Sequence, residues 1–508
     1  MSGAALAKVL MVQGTSSSVG KSLLVTALCR VFARRGVRVA PYKAQNMSNN
    51  AAVCADGSEI GRAQAVQAAA AGIEPTADMN PILLKPEADT RSQVIVMGRT
   101  WRTLAAGRYY QHRHELWPIA TAALDRLRAG YDLVIVEGAG SPAELNLKAE
   151  DLANMAVARY AAAPVLLMGD IDRGGIFAQL LGTLWLLPSD ERALVRGLVV
   201  NKFRGDPALF EDGVRLLEQH GDVPVLGVIP YLHDLAIPEE DAVALDQAAG
   251  GTRQAPSDVD IAVIRLPHIA NFDDFDPLAR EPGVTLRYVS SLAALGWPRA
   301  VILPGTKSTI ADLAWLRAQG LAEAIQRLAQ EGSAVVGLCG GYQMLGASLH
   351  DPHGVESHSG ESDGLGLVRV KTVFRENKVT SRVLARVLGG PGWMQSVAGQ
   401  VLHGYEIHMG HGEGSAGWLE IVARNGAPVQ VVDGAVAADG RVWGCYLHGL
   451  FENAALRRAW LASLGAPSAA GDWSGLAAPS LSAFDRLADA VEAALQLERL
   501  EALVRLEL

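Results

Sequence analysis

Short, wholly apolar runs punctuate the first half of the chain: KVLMVQG (8–14), YDLVIVEGAG (131–140), APVLLMGDID (163–172) and RGLVVNKFRG (196–205). Runs that are apolar throughout are strands buried on both faces, and the stretches between them are long enough for helices. The pattern predicts a parallel sheet covered on both sides, an α/β fold. It restarts with DIAVIRLP (260–267), TLRYVSS (285–291), RAVILPGTKS (299–308) and SAVVGLCGG (333–341), so a second α/β domain begins near Ile261. Between the two, DQAAGGTRQAPSD (246–258) is small, polar and broken by Gly and Pro, the composition of a linker. The expected organisation is a first domain at 1–247, a linker at 248–259, a second domain at 260–455 and a helical extension at 456–508. In that extension LADAVEAALQLERLEALVRLEL (487–508) has apolar residues at three- and four-residue steps. It reads as an amphipathic helix that closes the second domain.

Composition narrows the classes. A chain of 508 residues exceeds one hydrophobic core. Its charge of 45 − 54 = −9 is interspersed rather than blocked, which excludes a nucleic-acid footprint and a polybasic membrane patch. Any anionic ligand must be held by local charge. The cysteines, Cys29, Cys54, Cys339 and Cys445, are too sparse for a disulfide framework or zinc cluster. No apolar run reaches the ~18 residues of a membrane span, and the first one passes straight into a glycine loop, unlike a signal peptide. A soluble cytoplasmic protein without nucleic-acid or membrane partners is expected, with homo-oligomerisation left open.

The glycine loop is GTSSSVGKS (14–22), followed by LLVTALCRVFARRG with an apolar side and Gly36 as C-cap. It therefore joins a strand to a helix, where backbone N–H groups and the helix dipole face an anion. Gly14, Thr15, Ser17, Gly20 and Lys21 are the expected phosphate contacts, with Ser22 giving a hydroxyl to magnesium. A Walker A loop has four residues before its Gly-Lys pair; Thr15 to Val19 make five. Glu137 ends a neighbouring strand at the same sheet edge, where it can hold the metal. Asp170, Asp172 and Arg173 end a third strand, and Asn201 with Lys202 end a fourth; Asn201 either reads an adenine edge or caps the next helix.

The second half carries a different chemistry. GSAVVGLCGGYQML (332–345) runs a strand into Cys339, two glycines and a helix, the elbow that presents a nucleophile. His448 ends the apolar run VWGCYL and is the candidate base. In LPGTKS, Gly305 is placed to offer an N–H to an oxyanion, as is Gly340 after the thiol. Cys29, Cys54 and Cys445 read as buried structural cysteines. His403, His408 and His411 alternate in VLHGYEIHMGHGEG without a matching carboxylate or thiol cluster, and read as surface or substrate-loop residues.

These motifs carry a resemblance. GTSSSVGKS, with its longer spacer, resembles the loop of the dethiobiotin synthetase group of ATP-dependent carboxylate-activating enzymes. PYKAQNMSNN (41–50), MNPILLKPEADTRSQVIVMG (79–98), EGAGSPAELNL (137–147), DIDRGGIFA (170–178) and NKFRGD (201–206) closely resemble the cobyric acid synthase family, glutamine-dependent amidases of cobalamin biosynthesis. The second half is similar to a class I glutamine amidotransferase. In that class a Glu two places after the histidine orients it; here Leu450 stands there, and Glu406 and Glu452 are candidates that neither spacing compels. The resemblance implies ATP and magnesium as cofactors, glutamine as nitrogen donor, and a corrinoid polycarboxylate met by Lys43, Gln45, Asn46, Lys85, Arg91, Asp172 and Arg173. It implies amidation of adenosylcobyrinic acid a,c-diamide at its b, d, e and g carboxylates to adenosylcobyric acid. Cobyrinic acid a,c-diamide synthase is the near alternative. A P-loop partitioning switch is the distant one, but it would carry a Lys early in the loop, where Thr15 and Ser16 stand.

Overall fold

The run Lys8–Gly14 becomes a strand with all but its first residue buried, and Leu133–Glu137 and Val165–Asp170 are buried throughout. That leaves no solvent face, so helices must cover both sides. A computed structural model describes residues 6–88, 91–233, 235, 237–238, 258–356, 360–414, 416–466 and 481–504. The first sheet runs Val225–Pro230, Val195–Phe203, Val165–Asp170, Lys8–Gly14, Leu133–Glu137, Val39–Tyr42, and every pair is parallel. The glycine loop leaves its central strand between two neighbours, so acids ending those neighbours meet it.

The second parallel sheet orders Val284–Val289, Val259–Ile264, Ala300–Leu303, Ala334–Leu338, Val442–Cys445, with Ala435–Val436 antiparallel at its edge. A further sheet contains the long antiparallel pair Lys371–Val387 and Val401–Glu413. Residues 248–257 of the expected linker lie outside the described residues.

The strings that carry the resemblance build much of the join between the halves. Ile82–Ala88 and Arg91–Val96 form antiparallel strands of a four-stranded sheet off the first domain. Ala51, Val53, Leu83 and Ile95 pack against Ile407 with Tyr405 alongside. Polar contacts flank this seal: Ala51 N donates to Asn271 Oδ1 at 2.9 Å, Lys307 pairs with Glu87 at 2.9 Å, and Arg382 Nε donates to Val53 O at 2.7 Å.

The C-terminal helix departs from expectation. Leu481–Ala494 is amphipathic, but it packs on the helix Lys21–Arg34 of the first domain and not on the second. Phe484, Leu487 and Val491 enter the core under that helix. Arg30 pairs with Asp485 at 2.7 Å and Arg34 with Asp489 at 2.6 Å. Period predicts an apolar face; only the partner's complementary face and charges decide where it lands.

Candidate active sites

At the first site Gly20 ends the loop at φ +106°, and a Cβ there would meet Asn201 Nδ2 at 2.2 Å. Asn201 Nδ2 donates to Val19 O at 2.7 Å, and Lys202 Nζ to Ser18 O at 2.9 Å while pairing with Asp170 at 2.8 Å. These two side chains brace the loop backbone from below; Asn201 does not cap the next helix. Lys21 is buried, with Nζ donating to Ser16 O at 2.9 Å and Gly140 O at 3.2 Å. Thr15 Oγ1 donates to Gln179 Oε1 at 3.2 Å, and Ser17 is exposed.

Glu137 is the hub of this site. Its Oε1 accepts from Ser22 Oγ at 2.8 Å and Lys43 Nζ at 2.9 Å, and its Oε2 from Gln67 Nε2 at 2.6 Å. Burial pushes the carboxyl up, but Lys43, Gln67 and Lys21 outweigh it and hold it below the usual carboxylate range. A hydroxyl and a carboxylate oxygen side by side are the hard donors magnesium takes, so Ser22 and Glu137 fit that ion.

The expected substrate residues scatter. Lys43 faces Glu137 in the nucleotide site. Gln45 Oε1 accepts from Tyr109 Oη at 2.7 Å, and buried Asn46 donates to Gln64 Oε1 at 3.1 Å. Arg91 lies 3.9 Å from Glu87. Asp172 pairs with Arg204 at 2.6 Å, and half-exposed Arg173 lies 3.6 Å from Asp170. Lys85 is buried at the other site, 2.7 Å from Glu59, which Lys378 of the second half also grips. Burial pushes Glu59 up, but the two lysines win and hold it near about 2. Burial dominates at Lys378, which falls to about 8.

At the second site Cys339 sits at φ +51°, ψ −109°, between the strand Ala334–Leu338 and the helix Gly340–Leu345. A non-glycine residue in that region is strained, and the neighbours hold it there. Cys339 N donates to Cys445 O at 2.9 Å, and a Cβ on Gly341 would lie 1.9 Å from Leu303 O. A Cβ on Gly305 would stand 3.0 Å from His448 Cε1 and 3.8 Å from Cys339 Cβ, so glycine lets this turn approach both groups. A Cβ on Gly340 would meet Thr306 Cγ2 at 2.6 Å.

The orienting acid comes from neither expected position. His448 Nδ1 meets Asp274 Oδ2 at 2.7 Å, and Asp274 Oδ1 accepts from Gly449 N at 2.8 Å. Glu406 is 2.8 Å from Arg424 instead. Burial lowers the His448 pKa, but Asp274 and the hydrogen bond to Cys339 prevail and raise it to about 10. Asn271 Nδ2 lies 3.4 Å from His448 Nε2. The hint lay in ANFDDFDP (270–277), acids just beyond the first strand of the second half, but its three aspartates look alike in one dimension.

A cavity opens on the thiol, lined by Cys339, His448, Glu356, His408, Lys85 and Lys378. His408 is therefore a buried wall residue, stacked 4.0 Å from Tyr446, and not a surface histidine. Glu356 accepts from Thr309 N with Oε1, while its buried Oε2 has no hydrogen-bond partner. Burial pushes the other thiols up, Cys54 to about 12 and Cys445 well above the ordinary value. Among the described residues no group of three or more His, Cys, Asp or Glu is arranged to hold a metal, and no helix is long and apolar enough to cross a membrane.

Comparison with known proteins agrees with this two-part arrangement. Residues 10–243 match the CobQ/CobB/MinD/ParA nucleotide binding domain, and 260–456 the CobB/CobQ-like glutamine amidotransferase domain. The cobyric acid synthase of Chloroflexus aggregans is 57% identical, covering 98% of this chain and 99% of its own. That of Roseiflexus castenholzii is 57% identical over 96% and 97% of the two chains, and that of Sorangium cellulosum 52% over 98% of each. The chain belongs to the cobyric acid synthase family.

Proposed function

We propose that the chain uses ATP and glutamine to amidate the b, d, e and g carboxylates of adenosylcobyrinic acid a,c-diamide, giving adenosylcobyric acid. The observation that carries the reading is the thiol cavity itself. It holds Cys339, His448 and an unpartnered carboxylate oxygen of Glu356, and part of its wall, Lys85, belongs to the nucleotide-binding half.

In the glutaminase half His448 holds the Cys339 proton, and Asp274 steadies the imidazolium. The thiolate attacks the glutamine side-chain amide, His448 protonates the departing ammonia, and water cleaves the thioester to glutamate. Gly305 and Gly340 offer backbone N–H groups to the oxyanion. Glu356 Oε2 takes the α-ammonium group of glutamine.

In the other half the loop backbone from Gly14 to Gly20 and Lys21 bind the ATP phosphates. A substrate carboxylate oxygen attacks the γ-phosphorus and ADP leaves; ammonia then attacks the acyl carbon and phosphate leaves. Magnesium, held by Ser22 and Glu137, would neutralise phosphate charge. Asp172 and Arg173, at the open strand ends, face the corrinoid. Lys43 and Lys85 are reassigned, one to the Glu137 hub and the other to the cavity wall. Water must not reach the acyl phosphate, so ammonia passes between the halves by a shielded path. The four free, buried thiols suit a reducing cytoplasm.

The test is mass spectrometry of corrinoids formed from amide-15N glutamine and ATP. Four labelled carboxamides on the a,c-diamide support the reading. Labelling of cobyrinic acid at a and c alone would favour the diamide synthase instead, and no transfer would end it.

A further inference from the structure

The glutaminase histidine is approached by a residue of the other half. Arg62 opens the helix Arg62–Ala71 in the nucleotide-binding half. Its Nη2 donates to Tyr405 Oη at 2.5 Å, and its guanidinium carbon lies 5.2 Å from the Tyr405 ring centre. Arg62 Nε stands 2.9 Å from Asp273 Oδ2, an ion pair rather than an aligned hydrogen bond. Both contacts flank His448. The Tyr405 ring stacks on the imidazole at 5.1 Å and 16°, and the two residues exchange backbone hydrogen bonds, Tyr405 N to His448 O at 3.2 Å and His448 N to Tyr405 O at 2.9 Å. Asp273 precedes Asp274, the acid on His448 Nδ1.

We propose that Arg62 is a positioning residue for glutamine hydrolysis, by which the nucleotide-binding half completes the glutaminase half. This rests on the reading of Cys339 and His448 as the glutaminase pair.

The physical case is one of fixed geometry. A planar guanidinium presents several donors in one plane, so one side chain can pin the ring above the imidazole and the loop carrying its acid. Asp273 has a further oxygen, Oδ1, that is buried without a hydrogen-bond partner. Without Arg62 that carboxylate would lose the cation paired with its Oδ2 while staying next to Asp274. The second half therefore holds the reacting groups and Asp274, while the side chain that pins Tyr405 and pairs with Asp273 comes from the first half. Arg62 also borders a cleft of about 610 Å³ between the halves, open enough for a small cation to enter.

The experiment uses the full-length enzyme as R62A and R62K, with C339A as control. Glutamate release and ammonium-driven amidation are measured separately. R62A should lower kcat for glutamine about tenfold or more, the scale of one charge-assisted hydrogen bond, with little change in KM for glutamine and in the ammonium-driven rate. R62K should recover part of the loss, and ethylguanidinium added to R62A should restore part of the rate without affecting the parent enzyme. A parent-like glutamine kcat in R62A overturns the proposal. If R62A does not fold, as reported by loss of ammonium-driven amidation, R62K decides: a parent-like glutamine kcat there also overturns it. Should C339A still release glutamate, the glutaminase reading fails first, whatever Arg62 does.

Discussion

Arg62 and Gln67 lie on one helix and address different chemistry: Arg62 donates to Tyr405 at 2.5 Å beside His448, while Gln67 donates to Glu137 at 2.6 Å beside the glycine loop. A rotation of about 100° per residue puts the two side chains some 140° apart around the axis, so a short helix reaches both sites. The helix, RAQAVQAAAA, packs Val66 and Ala70 into the core beneath Lys21–Arg34, which fixes it while Arg62 and Gln67 reach out to either side.

The Gln67 contact supports a prediction. Hydrogen bonds to charged groups contribute about 1.5–3 kcal/mol, and a buried carboxylate cannot replace a lost donor with water. Replacing Gln67 with Leu should weaken ammonium-driven amidation about tenfold or more at low ATP, read from initial rates across ATP concentrations. An unchanged ATP dependence would remove Gln67 from the site.

Asp274 makes a prediction with a direction. His448 is raised to about 10 against burial, mainly by Asp274, so the imidazolium that accompanies the thiolate persists to alkaline pH. In D274N that support is gone, and the alkaline limb of glutamine hydrolysis should move down toward the ordinary imidazole range near about 6.5. The rate at neutral pH should fall by on the order of 10²–10⁴, by analogy with the same change in a serine triad. Stability moves with it: the raised pKa stabilises the parent below about 6.5 and is lost as pH rises through about 10, so the D274N deficit should be largest at acid and neutral pH. An alkaline limb left in place would show that another group carries it.

The contrast between Asp274 and the residues found by sequence is physical. Cys339 and His448 announce themselves because each ends an apolar run, and strand ends are where a parallel sheet gathers chemistry. Lys21, Ser22 and Glu137 were legible for the same reason. Asp274 lies 174 positions from His448, in a loop whose placement depends on the packed second domain. Leu450 signalled that the usual acid was missing, and nothing local signalled its replacement. Lys43, just past the strand Val39–Tyr42, and Lys85, inside the strand Ile82–Ala88, read as substrate contacts in the sequence, but their partners, Glu137 and Glu59, come from other segments and turn them inward.

Glu356 gives a second pH prediction. Burial pushes its carboxyl up to about 7, against the opposing hydrogen bonds from Thr309 and the Lys307 charge. The ionised form is the one that binds an ammonium group, so KM for glutamine should rise as pH falls through about 7. In E356Q it should be high at every pH, with ammonium-driven amidation retained. A KM that ignores both pH and the substitution would remove Glu356 from the glutamine site.

Two glycines separate crowding from backbone preference. A Cβ on Gly341 would lie 1.9 Å from the Leu303 carbonyl oxygen, and that contact is backbone that cannot swing away. Gly140, at φ +56°, has nothing within 4 Å. G140A should cost only the left-handed penalty of about 1–2 kcal/mol. G341A should cost clearly more, about 4 kcal/mol or a failure to fold, because the added Cβ would overpack against fixed backbone. Urea unfolding of both checks the order, and equal losses would contradict the close approach beneath the Cys339 elbow.

The C-terminal helix makes the last prediction, and its partner defines it. Phe484 is 2% exposed, in the core shared with Val25, Leu28 and Phe32, and the arginines of that first helix grip the acids around it. Truncating a buried Phe costs about 3–5 kcal/mol. The loss in F484A should fall on the nucleotide-binding half, because that is the sheet the helix covers. D485A, a partly exposed pair, should cost no more than about 1 kcal/mol. Ammonium-driven, ATP-dependent amidation should therefore lose heat resistance in F484A before glutamine hydrolysis does. Preferential loss of the glutaminase would mean that the helix serves the second domain after all.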